Sequence, residues 1–262
     1  MAFSIAVAGK GGIGKTSLAA LLIQGLIERA DGPVLAVDAD PNPSLGYALG
    51  HQVEKTISEL RNDLLDHIRK LSPGMTKDDY LELGIQECLS EDRGFDLLAM
   101  GAGEGPRCYC AINSVLRRCI DRLSSAYPYV VMDNEAGLEH LSRCTTQDID
   151  VLLIVTNGHP ASLQAAIRVR ELTEKLALRI GGRYLVLNDA IDSGDAAWCA
   201  EQARLTGLEL LGVVPTDEAL RECSRRGQAV TGLPEDSPAR LAARTILEGA
   251  LSGTAPIAER AG

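Results

Sequence analysis

Apolar residues fall along this chain in two rhythms. Runs that are apolar at consecutive positions, Phe3–Ala8, Val34–Asp38, Asp96–Met100, Tyr129–Asp133, Val151–Val155, Tyr184–Asn188 and Leu208–Val213, alternate with stretches of helical periodicity, Ser17–Ala30, Ala111–Ser125, Ser162–Leu176 and Pro238–Leu251. A consecutively apolar run reads as a strand covered on both faces, and alternation with helices returns each strand parallel to the last through a right-handed crossover. The pattern predicts an α/β fold with a doubly wound, mainly parallel sheet, residues 1–262 forming a single domain. The stretch 55–92 breaks the rhythm. It carries two predicted helices and two acidic segments, DDYLE and SEDRG, and reads as an insertion between core strands. Residues 252–262 are small and polar and read as a frayed tail.

The junction of the first strand and first helix carries the strongest chemical signal. Gly9-Lys10-Gly11-Gly12-Ile13-Gly14-Lys15-Thr16 matches GxxxxGK[ST] in the strand–loop–helix setting that motif requires. Glycines let the backbone wrap close to phosphates, successive amides point inward, and the helix N-terminus adds a favourable dipole. Lys15 is expected on the β- and γ-phosphates and Thr16 on Mg²⁺, with Gly11, Gly12, Ile13, Gly14 and Ser17 completing the cradle.

Two acidic sites stand where later strands end. Asp38 and Asp40 close the second strand in AVDADPNPSLGYALG, at the sheet edge where ligands bind in open α/β folds. Asp38 supports either a magnesium shell or the loop, or it is a strand-end cap. The apolar run ending in Asp133, with Gly137 four residues on, is a Walker B and switch II arrangement in which Asp133 holds magnesium and Gly137 lets the loop swing.

Lys10 departs from a plain P-loop. KGGIGKTS resembles the deviant Walker A motif, KGGxGKT[ST], of the superfamily that contains MinD, ParA and the nitrogenase iron protein. The resemblance implies a P-loop NTPase that hydrolyses ATP to ADP and phosphate with Mg²⁺ and works as a homodimer. In that superfamily the early lysine, here Lys10, reaches the partner chain's nucleotide; an exposed loop cation is the other reading. The resemblance also makes Asp40 the residue that orients or activates the attacking water, and sets Asn188, at a strand end, against adenine. It brackets the ring with Pro215 and Asp217, which read equally as a helix entry in which Thr216 or Asp217 caps the run from Glu218.

Seven cysteines in a chain read as having no export signal are better taken as thiols or metal ligands than as a disulfide framework. Cys108 and Cys110 stand just before a predicted helix, whose N-terminus favours thiolates. A closed metal site takes four ligands, so two thiols per chain become a site for Ni²⁺ or Zn²⁺ where a two-fold axis supplies the other pair; two idle buried thiols are the alternative. CYC together with AGLEHLSR resembles the CooC and AcsF group, ATPases that mature carbon monoxide dehydrogenase and acetyl-CoA synthase by nickel insertion. That resemblance implies nickel as cargo and carbon monoxide dehydrogenase as client. The cluster cysteine that the iron protein carries after Walker B is absent, and His140 stands seven residues beyond Asp133, which argues against an iron–sulfur reductase. His140 reads as a hydrogen-bonding residue or as an extra ligand. Cys88, Cys119, Cys144, Cys199 and Cys223 lack paired spacing and read as idle thiols.

The net charge of −10 and pI near 5.0 leave no basic face for nucleic acid. No apolar run approaches the ~20 residues of a membrane helix, so a cytoplasmic protein without membrane contact is expected. The C-terminal TAPIAERAG forms no basic amphipathic helix, which weighs against a positioning ATPase of the MinD or ParA type.

Overall fold

The computed structural model describes residues 2–67, 76–102, 110–135, 148–175, 179–189 and 195–253. The strands are β1 (Phe3–Gly9), β2 (Val34–Ala39), β3 (Leu89–Asp92), β4 (Phe95–Ala99), β5 (Tyr129–Asn134), β6 (Asp148–Thr156), β7 (Arg179–Asn188) and β8 (Glu209–Val214). They form an eight-stranded sheet in the order β3-β4-β2-β5-β1-β6-β7-β8. Every pairing is parallel except β3 against β4.

The helices are α1 (Lys15–Arg29), α2 (Leu45–Leu49), α3 (Ile57–His67), α4 (Lys77–Cys88), α5 (Cys110–Ser124), α6 (Pro160–Lys175), α7 (Ala196–Thr206), α8 (Glu218–Arg226) and α9 (Pro238–Gly253). Alternate residues of each central strand feed two cores. Ile5 and Val7 of β1 and Val151, Leu153 and Val155 of β6 pack with α1, α2 and α9. Ala6, Ala8, Leu152 and Ile154 face the other way, against α3 to α7. A strand covered on both faces needs no polar alternation, which is why these runs are apolar throughout. Burying a side chain such as Leu22 or Ile154, both fully enclosed, stabilises by about 1.5–3 kcal/mol.

The stretch 55–92 holds the two expected helices, but its last residues form a strand. β3 is Leu-Ser-Glu-Asp, a polar edge strand with no apolar run to announce it, held to β4 by a connection of Arg93 and Gly94, the latter at φ +88. α2 and α7 also fall outside the helical stretches read from the sequence. α9 continues through Ser252 and Gly253, so the predicted tail begins later than its composition indicates; the rest of it lies outside the described residues.

The parallel arrangement brings the carboxyl ends of β1, β2, β5, β7 and β8 to one edge. In register, Asp133 of β5 stands opposite Val7 of β1 on one side and Asp38 of β2 on the other.

Candidate functional site

The loop from β1 to α1 is shaped by its glycines. Gly9, Gly12 and Gly14 all have positive φ, and a Cβ at Gly9 would meet the Val155 carbonyl oxygen at 2.5 Å. The N-terminus of α1 starts from Gly14 with no side-chain cap and no acid in its first turn. Among the described residues no side chain caps these amides, the condition for an anion site. Lys15 is buried beside this turn, and its Nζ donates to the Lys10 carbonyl oxygen at 3.3 Å. Lys10 itself is exposed.

Thr16 Oγ1 donates to Asp133 Oδ2 at 2.6 Å and lies 3.2 Å from Ser44 Oγ. The other oxygen, Asp133 Oδ1, is buried with no hydrogen-bond partner among the described residues. Burial pushes this carboxyl up to about 7; the Thr16 hydrogen bond and Lys15 oppose the shift, while Asp38 and Asp40 add to it. A buried acid with an open lone pair beside a threonine hydroxyl is the chemistry of a hard-cation shell, so these residues fit Mg²⁺. Asn134, next along β5, was not singled out from sequence. Its Nδ2 donates to the Val7 carbonyl oxygen at 3.0 Å, while its Oδ1 is likewise buried with no partner among the described residues.

Asp38 does something different from Asp133. Its Oδ1 accepts from the Asp40 amide at 3.1 Å, and its Oδ2 accepts from the Ser44 and Leu45 amides at 2.7 and 2.8 Å. Burial raises its carboxyl above the usual range against the pull of those three amides. It holds the loop from β2 to α2, the loop-supporting reading. Asp40 is half-buried on that loop, its Oδ1 accepting from the Asn42 amide at 2.9 Å.

Next to the loop opens a cleft of 520 Å³, within the range of small-molecule sites. Gly12, Ile13, Gly14 and Ser17 of the glycine loop and α1 line it, together with Asn188 at the end of β7 and Pro215 and Asp217 from beyond β8. Asn188 Nδ2 donates to the Ile13 carbonyl oxygen at 2.6 Å. Asp217, not Thr216, caps α8, accepting from the Ala219 and Leu220 amides at 2.9 and 3.1 Å, while Thr216 donates to Asp189 at 2.8 Å. Asn157, Asp189, Arg221 and Arg225 also line the cleft and were missed. They stand singly after different strands or on α8, with no fixed spacing to betray them; only Asp189, directly after the chosen Asn188, carried a signal.

Cys110 is the first residue of α5, one residue inside the helix it was expected to precede. Cys108, Gly137, His140 and Cys144 lie outside the described residues. Among the described residues no three His, Cys, Asp or Glu side chains are grouped to hold a metal. Cys88, Cys119 and Cys199 are buried thiols in no disulfide and Cys223 is half-buried; burial pushes Cys88 up to about 12 and also raises Cys199, so neither is a ready thiolate. No helix among the described residues is long and apolar enough to cross a membrane.

A glycine loop on an uncapped helix, a threonine–aspartate pair and a cleft along one sheet edge define a P-loop nucleotide-binding protein. The chain belongs to the CobQ/CobB/MinD/ParA nucleotide-binding domain family, whose model matches residues 4–230. It is 40% identical over 235 residues to an uncharacterized ATP-binding protein of Methanocaldococcus jannaschii, covering 89% of this chain and 92% of that protein. It is 29% identical over 240 residues to the carbon monoxide dehydrogenase accessory protein CooC of Rhodospirillum rubrum, covering 85% and 87%. Its fold matches the MinD cell division protein of Aquifex aeolicus with a TM-score of 0.69 at 22% identity, over 97% and 99% of the two chains.

Proposed function

We propose that this chain binds ATP with Mg²⁺, hydrolyses it to ADP and phosphate, and uses the cycle to deliver nickel to a carbon monoxide dehydrogenase. The observation that supports the nucleotide reading best is the contact of Thr16 with Asp133 at 2.6 Å beside an uncapped helix, with Asp133 Oδ1 left open. Thr16 and Asp133 would hold Mg²⁺, which when bound offsets phosphate charge. The amides from Gly11 to Ser17 bind the phosphates and Lys15 neutralises them. Asp40, on the loop that Asp38 anchors, orients the attacking water. Asn188, Pro215 and the Asp217 turn hold the base. Lys10 is exposed, as a residue serving the partner's nucleotide in a homodimer must be.

The cargo reading rests on Cys108 and Cys110 and on the likeness to the Rhodospirillum rubrum protein. Two thiolates from each chain around a two-fold axis complete four ligands. The test is elemental analysis after dialysis against nickel or zinc, with and without ATP. One ion per dimer is expected, lost in Cys108→Ser and Cys110→Ser while ATP still binds. One ion per monomer, or binding that survives both variants, refutes the shared site. A brown colour after anaerobic purification would instead mark an iron–sulfur reductase. A positioning ATPase is the second reading, favoured by 23% identity to the septum site-determining protein MinD of Bacillus subtilis over 258 residues. ATP-dependent sedimentation with lipid vesicles, without metal binding, would establish it instead.

A further inference from the structure

The far end of the cleft is walled by α8, a helix that buries none of its residues. Its capping acid has nothing left to offer a ligand. Besides the Ala219 and Leu220 amides, Asp217 accepts from the Ser237 hydroxyl at 2.6 Å and the Ala239 amide at 3.2 Å. Arg221, one turn into α8, lines the same cleft as Asn188 and Pro215 and is held on two sides. Its Nη2 donates to both oxygens of Asp189, at 2.8 and 2.9 Å, and its Nη1 donates to Glu218 Oε1 at 2.8 Å. Asp189 is fixed in turn by the Thr216 hydroxyl at 2.8 Å and sits at φ +50, a conformation costly for a residue other than glycine.

These bonds run through the edges of the guanidinium and leave its faces without hydrogen bonds. Two carboxylates outweigh its single charge, so the group is a poor phosphate ligand; a flat, fixed guanidinium is instead a stacking partner for an aromatic ring. The phosphate end of the cleft is already supplied by the glycine loop. We propose that Arg221 is a base-stacking residue, laying its face on the purine while Asp189 and Glu218 hold it flat. The inference rests on the nucleotide reading above and deepens it.

The test separates base from phosphate. The parent, Arg221→Ala, Arg221→Lys and Asp189→Asn are titrated calorimetrically with Mg-ATP and with inorganic tripolyphosphate. Arg221→Ala is expected to weaken ATP binding by about 3- to 30-fold and to leave tripolyphosphate binding unchanged. Arg221→Lys should recover little, since an ammonium is not planar. Asp189→Asn, which suits the positive φ, should give a smaller loss, again confined to ATP. Etheno-ATP emission, quenched by stacking in the parent, should brighten in Arg221→Ala. Equal losses for both ligands would make Arg221 a phosphate contact, and unchanged ATP affinity would make it a surface cation; either overturns the inference. A parent that binds tripolyphosphate as tightly as ATP overturns it while sparing the P-loop. A parent that binds neither sinks the nucleotide reading, and this inference with it.

Discussion

The two ends of the cleft are built on different principles. At the proposed phosphate end the groups belong to one continuous stretch, Gly9 to Ser17, backed by Asp133, which is buried with one oxygen bonded to Thr16. At the other end Asn188, Pro215, Asp217 and Arg221 come from the ends of two strands and from a helix with no buried residue, tied by ion pairs that are partly exposed. The first end presents backbone amides whose position follows from glycine geometry; the second presents side chains whose position follows from other side chains. A phosphate is the same in every nucleotide and suits a rigid cradle. A base is recognised by surfaces that can differ between relatives without disturbing the cradle.

If that division holds, the phosphate end can lose its rate without losing its ligand. Asp40→Ala should slow phosphate release at saturating Mg-ATP by about 10²–10⁴-fold, because a residue that orients water acts in the transition state. Its ATP affinity should stay within a few-fold of the parent, since the Asp40 carboxylate accepts from the Asn42 amide on its own loop. A variant that instead fails to bind Mg-ATP would place Asp40 in the metal shell.

Lys15→Ala should break the same end at the level of binding. Losing the buried cation proposed to neutralise the phosphates should cost about 100-fold in affinity, for ATP and tripolyphosphate alike. Adenosine, which has no phosphate, should bind both proteins equally in the same calorimetric titration. Unequal losses for ATP and tripolyphosphate would blur the boundary between the two ends.

How much of this could be read beforehand follows from the same contrast. The core strands were legible because burial on both faces writes an unbroken apolar run, and the glycine loop because its backbone geometry demands particular residues at fixed spacing. β3 was not, since an edge strand paired on one side can be polar, as Ser90, Glu91 and Asp92 are. Arg221 was not, because its partner Asp189 lies 32 residues away and nothing local requires either. Asp38 was legible as an acid at the sheet edge, while its role as a loop anchor needed the three amides that meet it.

The base end should show its weakness in stability. Burial alone would raise the Asp217 carboxyl, but the Ser237 hydroxyl and the Ala239, Leu220 and Ala219 amides outweigh it and hold the group below the usual range. A depressed carboxyl contributes stability above its unfolded pKa, near 4, and loses it as pH falls through the folded value. Asp217→Asn should therefore cost about 2 kcal/mol in urea unfolding at pH 7, combining a helix cap with a buried charged acceptor. The gap between parent and variant should narrow below about pH 4. A gap that widens on acidification would mean that the carboxylate is not what holds α8.

The smallest effect falls where the two ends meet. Asn188 belongs to the base end by position, yet its Nδ2 donates to the Ile13 carbonyl oxygen at 2.6 Å, inside the glycine loop. The same nitrogen fills the space a side chain at residue 14 would need: a Cβ there would lie 2.3 Å from it, at a backbone φ of +85. Asn188 is thus a strut as well as the proposed base contact. Removing it should leave the Ile13 carbonyl without its donor and slacken the loop by about 1 kcal/mol, roughly a fivefold loss in affinity. Arg221→Ala should spare tripolyphosphate, but Asn188→Ala should weaken tripolyphosphate and ATP together, with ATP losing more because the base contact goes too. A loss confined to ATP would show that the ends are independent and that the hydrogen bond to Ile13 carries no share of phosphate binding.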